Sequence, residues 1–518
     1  MSQVWPILPV LLPFIAALLM LLVHDRLRLQ QVIALSATIL GLAAAIGLLI
    51  GASTGEITVY RLGDWPAPFG IVLVIDRLAA TMVTLVFALG LPALLMALGG
   101  TDAQGRHFHP LFQFQLAGLA GAFLTGDLFN LFVFFEILLL ASYALLMHGP
   151  ASHSQSRARV RAGLVYVVLN LTGSSLFLIA LALVYGTLGT LNLADLALRL
   201  PAVPPADLAL VRTALALLSA VFLLKAAVLP MAFWLPRTYA QAPAAVAALF
   251  AILTKVGIVM LLRLSLIGFG SAEVAAGLLM PWLPVLALAT IVIGTIGAIA
   301  ARRLADIAAQ LVLVSAGTLL FALAFANPAS GSAATAALLW YLPQSTLVGA
   351  GLFLLAAHVD ARRPGLGDQM LRGPSVAGRS WLGPAYLVLA VGLAGLPPLS
   401  GFLGKLMLLQ AVSDAGWRPL WWGVLLASGL AVTVLMARAA GPLFWQAKEA
   451  EPAPVPHGLS RPAPLLALWL LVAAGPLMVL FAGPLADHAK ATARQLHDAS
   501  AYTSSVIGPD PSPRERRP

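Results

Sequence analysis

Apolar residues run through this chain in long blocks separated by short polar breaks, and most blocks approach the ~20 residues that a helix needs to cross a bilayer. Marking the blocks between breaks predicts about fourteen spans, near residues 4–23, 32–51, 75–98, 110–126, 128–147, 163–185, 209–229, 245–268, 281–301, 306–326, 333–357, 383–413, 419–440 and 463–483. The fold class expected is therefore an all-α polytopic membrane protein. Spans four to eight and nine to thirteen read as two five-helix units. A proline-interrupted span is fourth in each, and an odd number of helices per unit turns the second upside down relative to the first. The expected divisions are an N-terminal three-helix segment (1–108), a core (109–440), a linker and last helix (441–483) and a polar, disordered tail (484–518). The Pro-rich stretch Glu451 to Pro456 reads as an extended connector, and Pro509, Pro511 and Pro513 punctuate the tail.

Composition agrees. Of 518 residues, 60% are hydrophobic and only 10% charged, where a soluble protein carries about 25%. A cytosolic enzyme or a nucleic-acid reader is excluded. The net charge of +10 belongs to loops, where Lys and Arg collect on the cytoplasmic side. Loops expected to face inward hold sixteen basic residues, from Arg26 and Arg28 through Arg157, Arg159, Arg161, Arg302, Arg303, Arg362 and Arg363 to Arg461. Outward ends hold six (Arg61, Arg77, Arg199, Arg212, Arg263, Arg418) and the C-terminal tail five. The first span has basic residues after it and none before it, so it reads as a permanent helix with its N-terminus outside, in a bacterial inner membrane.

Three basic residues remain, Lys225, Lys255 and Lys405, and all lie inside apolar spans. Glu136 is the one acid central in a span. A charge at mid-membrane costs at least ~2.5–3.5 kcal/mol and normally faces a protein interior or a water path. Lysine is the informative choice: arginine keeps its proton everywhere, whereas a lysine removed from water can release and rebind one. Two of the spans are broken beside their charges. Pro230 follows Lys225, and Pro397-Pro398 within Gly395 to Gly404 precedes Lys405. Interrupted backbone at membrane depth is tolerated where protein covers it or water reaches it. Other mid-span polar residues, Tyr143, Asn170, Ser174, Gln310, Ser315, Thr318, Gln344 and Ser345, are candidates to hold water between the charges, with His358 at a span end as a further candidate. The competing reading is that they only bind helix to helix.

Absences narrow the chemistry. There is no Cys, which removes disulfides, thiolate chemistry and Cys-ligated metals. None of the nine His is mid-span, so no intramembrane haem pair exists, and no phosphate-cradling glycine motif is present for a nucleotide. No cofactor and no metal are expected.

Leu224-Lys225-Ala226-Ala227, Phe233-Trp234-Leu235-Pro236, Tyr239-Ala240-Gln241-Ala242-Pro243, Leu253-Thr254-Lys255-Val256-Gly257, Phe135-Glu136 and Gly395 to Lys405 form an ordered set. It resembles the antiporter-like membrane subunits shared by respiratory complex I and the Mrp-type multi-subunit Na+/H+ antiporters. The resemblance covers roughly residues 70–440, and chain length with Gln344-Ser345-Thr346-Leu347-Val348 is most similar to the D subunit of the Mrp type. It implies fourteen helices with two inverted units, a Glu136/Lys225 pair in one half-channel, Lys255 as central relay and Lys405 on the exit side. It also implies a cation/proton antiporter component that takes part in pH homeostasis, transporting H+ and, in the complex, Na+, with other membrane subunits as partners. The alternative is a proton-pumping subunit of an NADH:quinone oxidoreductase. One departure is visible: where relatives carry His or Lys on the eleventh span, this chain offers Gln344 and Ser345, so the step from Lys255 to Lys405 must run through water or reach His358.

Overall fold

The computed structural model describes residues 5–149, 153–269, 273–275, 277–326, 332–363, 365–373, 376–412, 414, 416–446 and 458–508. The Pro-rich stretch 451–456 and residues 509–518 lie outside them. In chain order the helices are α1 (Leu8–Leu22), α2 (Leu27–Ala52), α3 (Arg77–Ala97), α4 (Phe108–Leu124), α5 (Leu128–Met147), α6 (His153–Leu188), α7 (Leu193–Arg199), α8 (Leu208–Lys225), α9 (Trp234–Gln241), α10 (Ala244–Phe250), α11 (Leu253–Arg263), α12 (Leu283–Ala300), α13 (Leu304–Ala324), α14 (Ala333–Asp360), α15 (Arg379–Ala394), α16 (Ser400–Ala411), α17 (Arg418–Ala440), α18 (Pro462–Leu480), α19 (Ala482–His497) and α20 (Ala499–Ile507).

Among the described residues, twelve helical stretches are long and apolar enough to cross a membrane. They match predicted spans to within a few residues, apart from a longer α6. The other two predicted spans are α4, at 17 residues, and a stretch divided into α15 and α16. A short antiparallel hairpin between α2 and α3, β1 (Thr58–Arg61) against β2 (Val72–Ile75) with Thr58 opposite Ile75, was not expected.

The centre of the bundle is α10–α11 with α13 and α14, which are almost wholly buried, while α1, α2, α6, α17 and α18 turn apolar faces outward. With no water to exclude between helices in lipid, close backbone approach supplies the packing. α12 and α13 illustrate it: a Cβ on Gly294 would lie 2.9 Å from Val314 Cγ2, and one on Gly317 would lie 2.8 Å from the carbonyl of Ala287.

Two matching backbone bridges occur, one within each half of the chain. Asp127, at the start of α5, pairs with Asn192, just after α6, through Leu128 N–H to Leu191 O and Leu193 N–H to Gly126 O, both 2.9 Å. Arg303, at the start of α13, pairs with Gln369, after α14, through Leu304 N–H to Asp368 O at 3.2 Å and Met370 N–H to Arg302 O at 2.9 Å.

The expectation of a disordered tail from residue 484 is corrected for the part described: α19 and α20 cover most of residues 482–507. The segment is polar, but Ala489, Ala493 and Leu496 form a buried stripe at helical spacing. Gln495 clasps the hairpin end, donating to Gly55 O at 2.9 Å and accepting from Arg77 N–H at 2.9 Å.

Candidate functional site: a line of buried charges

Lys225 is the last residue of α8 and only 4% exposed. Its Nζ lies 3.4 Å from both the carbonyl and the side-chain oxygen of Asn170 on α6 and 5.6 Å from the centre of the Phe135 ring. Glu136, the next residue along α5, is near enough to Lys225 to interact electrostatically, yet the two form no ion pair. Its Oε1 is buried without a hydrogen-bond partner. Tyr143 meets the Tyr166 ring edge-on at 5.1 Å. Tyr166 is bonded in turn to Ser142 at 2.8 Å and, through its carbonyl, to the Asn170 amide at 3.0 Å. Ser174 is buried one turn beyond Asn170.

After Lys225 the chain leaves the helix as Pro230 predicts. Ala227 takes φ +55°, and the Leu229–Pro230 bond is cis. A non-glycine residue in that region costs about 1–2 kcal/mol. The surroundings hold it there: Leu229 N–H donates to Thr290 Oγ1 on α12 at 3.1 Å, and the Trp234 indole donates to Leu224 O at 3.3 Å.

Lys255 is wholly buried. Its Nζ donates to Ser315 Oγ on α13 at 2.9 Å, and that hydroxyl donates to Val312 O at 3.0 Å. This span too is interrupted: α10 ends at Phe250 and α11 begins at Leu253. Three of the buried charges therefore sit beside a break in a helix, where two were expected.

Lys405 is half-buried on α16 and donates to Ala394 O, the last carbonyl of α15, at 2.6 Å. Gly395 makes the turn at φ +76°, and the Pro397–Pro398 bond is cis. Gln344 fastens the end of α15 by donating to Gly392 O at 3.1 Å, and Trp340 fastens the start of α16 by donating to Ser400 O at 3.3 Å.

A narrow cavity runs from Ser315, the hydroxyl that holds Lys255, to Lys405. Its polar lining is Ser315, Thr318, Tyr341, Gln344, Ser345, Lys405 and Ser428, so the residue that holds Lys255 forms one wall and Lys405 another. Gln310 is not among them; it packs over Gly297 of α12. His358 does not join either. Its Nδ1 accepts from Arg362 at 2.9 Å and its Nε2 faces Pro464 O at 3.2 Å, so both ring nitrogens are engaged and a guanidinium lies beside it. His358 thus stands apart from the cavity between Ser315 and Lys405.

Sequence reading also missed a buried ion pair. Arg263, assigned to an outward loop, is 1% exposed and bound bidentately to Asp76, at 2.8 Å for both contacts. Asp76 also caps α3 by accepting from Ala79 N–H at 2.7 Å, and the Tyr502 ring of α20 lies 5.9 Å from the guanidinium. Arg362 and Arg363, assigned to inward loops, are buried as well. Arg363 donates to Gln369 O at 2.7 Å and Leu371 O at 2.6 Å, organising the loop after α14.

Glu136, Lys225, Lys255 and Lys405 thus lie inside the multi-pass helical bundle of a polytopic membrane protein. Residues 125–435 match the family model described as NADH:quinone oxidoreductase/Mrp antiporter, TM, and the chain belongs to that family. A Rhizobium meliloti protein named as the probable D subunit of a K+/H+ antiporter is 40% identical, with 97% of each chain covered. The D subunit of the Na+/H+ antiporter of Alkalihalophilus pseudofirmus is 35% identical over 97% of this chain and 99% of that one. Among solved structures, a chain of the Mrp complex from Dietzia sp. DQ12-45-1b superposes with a TM-score of 0.86 at 28% identity, covering 98% of this chain and 100% of that one. A chain of respiratory complex I from Thermus thermophilus shares the fold, with a TM-score of 0.77 at 23% identity over 95% of this chain and 99% of that one.

Proposed function

We propose that this chain is the proton-carrying subunit of a multi-subunit monovalent cation/proton antiporter in a bacterial plasma membrane, acting with other membrane subunits as a secondary transporter. The observation that carries the reading is the connection from Lys255 through Ser315 into the polar cavity that ends at Lys405. The names of the relatives support exchange of protons against Na+ or K+.

In this reading a proton arrives at the Glu136/Lys225 pair, moves to Lys255, crosses the cavity on water held by Ser315, Gln344 and Ser345, and leaves by Lys405. Gln344 cannot take up a proton, so its part is to orient water and to clasp the end of α15. The breaks after Lys225, before Lys255 and before Lys405 let water reach charges that an unbroken helix would seal.

The topology that fits is fourteen crossings: the twelve stretches, α4, and the α15–α16 pair as one broken helix. The two bridges support inverted repeats. Each ties the start of a unit's second helix to the segment after its third. Between them lie five crossings (α5, α6, α8–α9, α10–α11 and α12), an odd number, which puts the bridges on opposite sides. The distribution of arginines supports an N-terminus outside.

The test is cation-dependent collapse of a pH gradient in inverted vesicles of an antiporter-deficient bacterium expressing the complete complex. The antiporter reading expects collapse on adding NaCl or KCl. Absence of both responses, with proton pumping that depends on NADH and quinone, would transfer the same residues to a redox-driven complex, the reading that the likeness to complex I would then favour.

A further inference from the structure

Between the starts of α2 and α18 and the loop that follows α3 lies an open cavity of about 820 Å³. Its face is the arginine-rich one, with Arg26 and Arg106 in the adjoining loops. Two guanidiniums line it, Arg28 on α2 and Arg461 at the cap of α18, and both are exposed. Among the described residues Arg28 has neither an ion pair nor a hydrogen bond, and Arg461 donates only to Leu98 O, at 3.4 Å. The one acid in the lining, Asp102, is already satisfied. It is 2% exposed, and its Oδ2 accepts from Gln31 Nε2 at 2.7 Å and meets His109 Nε2 at 3.1 Å. The cavity therefore presents two positive charges without an acidic partner.

The floor is backbone. A Cβ on Gly458 would fall on the carbonyl of Gly99, and one on Gly99 would meet Pro464 Cγ at 2.9 Å, so these segments meet without side chains. α2 and α18 both begin here with no side-chain cap, and their first-turn N–H groups add to the positive potential. An apolar groove leads away from the arginines. α2 and α18 both pack on α3. Leu35 and Leu42 share the face of α2 that carries Gln31, Leu465 and Trp469 follow Arg461 at steps of four on α18, and half-buried Leu91 and Leu98 lie between them at the end of α3. Cationic groups at the membrane surface, with an apolar groove running from them into the bilayer, have the outline of a lipid: charge for the head, hydrocarbon for the tail. A free phosphate would use the arginines and leave the groove without a purpose.

We propose that this cavity binds the phosphate of an anionic phospholipid of the inner leaflet, held by Arg28 and Arg461, with an acyl chain along the groove between α2 and α18. Guanidinium is suited to the task because its fork matches two phosphate oxygens at once. The bound lipid ties the first helices of the chain to the last membrane-spanning one.

The test uses the complete complex in nanodiscs that contain a phosphatidylglycerol with a photoreactive acyl chain. Cross-linked peptides of this chain are quantified by mass spectrometry in wild type, Arg28→Gln/Arg461→Gln and Arg28→Lys/Arg461→Lys, all as assembled complexes. The expected result is cross-linking within α2 and α18 in the wild type, about tenfold less in the glutamine variant, as the loss of two basic groups at an anionic surface implies, and recovery of most of it with lysine. A phosphatidylcholine with the same chain should cross-link no more than the glutamine variant does, and millimolar inorganic phosphate should leave the phosphatidylglycerol adduct unchanged. Equal cross-linking by the glutamine variant, or by phosphatidylcholine in the wild type, would overturn the site and leave only the ordinary lipid surround. Displacement of the adduct by inorganic phosphate would overturn the lipid and assign the arginines to free phosphate. No transport is measured, so the outcome is independent of how the complex uses its buried charges.

Discussion

Lys255 and Ser315 meet ammonium to hydroxyl across 2.9 Å, on helices that are both almost wholly buried. The hydroxyl is anchored to Val312 O and forms part of the cavity wall that reaches Lys405. One serine thus both holds Lys255 and lines the cavity that reaches Lys405.

Removing that hydroxyl leaves the ammonium short of its partner, a loss of ~1–3 kcal/mol for a buried group. Ser315→Ala is expected to lower exchange about tenfold or more, since 1.4 kcal/mol is one factor of ten, with the complex still assembled. Exchange rates normalised to immunoblotted protein check it, and an unchanged rate would detach Ser315 from the path.

Gly395 is expected to tolerate no side chain. Its φ is +76°, and a Cβ there would lie 2.5 Å from Lys405 Cδ and 3.0 Å from its Nζ. Gly395→Ala therefore displaces the lysine from Ala394 O and should abolish exchange while the upstream cluster stays intact. Transport at the wild-type rate would show that this lysine position is not required.

The Asp76–Arg263 pair is expected to matter for stability and not for conduction. Breaking a buried pair by neutralising one partner costs about 3–5 kcal/mol. Asp76→Asn should lower the melting temperature of the detergent-solubilised complex, while exchange per folded molecule is retained.

The C-terminal helices should loosen in acid. Burial, reinforced by Arg77, holds His488 below its ordinary value of 6.5, and burial does the same to His497. Both lie on α19, where His488 pairs with Thr81 at 2.8 Å and His497 with Thr335 at 2.9 Å. With folded values below unfolded ones, the unfolded state binds more protons. The contribution to stability is complete above pH 6.5 and declines as pH falls from there towards the folded values. Hydrogen exchange in peptides spanning 482–507 should be slow at pH 8 and faster at pH 5.5, after correction for intrinsic rates; equal protection would contradict this.

The lysines were legible because a charge inside an apolar block breaks the rule that defines the block, and prolines marked two of the broken helices. The third break, at Ala251–Ile252, has no such mark: Phe250-Ala251-Ile252-Leu253 is ordinary apolar sequence, and tertiary packing bends it. Asp76 and Arg263 were hidden because each sits at a span end, where a charge is unremarkable, and 187 positions separate them. The helix at 482–497 was obscured by its polarity, although alanines at helical spacing were there to be read. Tyr341 and Ser428 are visible in the sequence as polar residues within spans, but nothing in their spacing indicates that they share one cavity.

If protons pass along Glu136, Lys225, Lys255 and Lys405, each of these side chains must be able to release the proton it takes up. The most direct measurement compares wild type, Glu136→Gln and Lys225→Arg in inverted vesicles carrying the complete complex, following collapse of the pH gradient on adding NaCl or KCl. Exchange in the wild type and none in either variant, at equal protein levels, is the predicted result. Undiminished exchange with arginine at position 225, which keeps charge but cannot release a proton, would contradict the relay and leave the buried charges as structural ties.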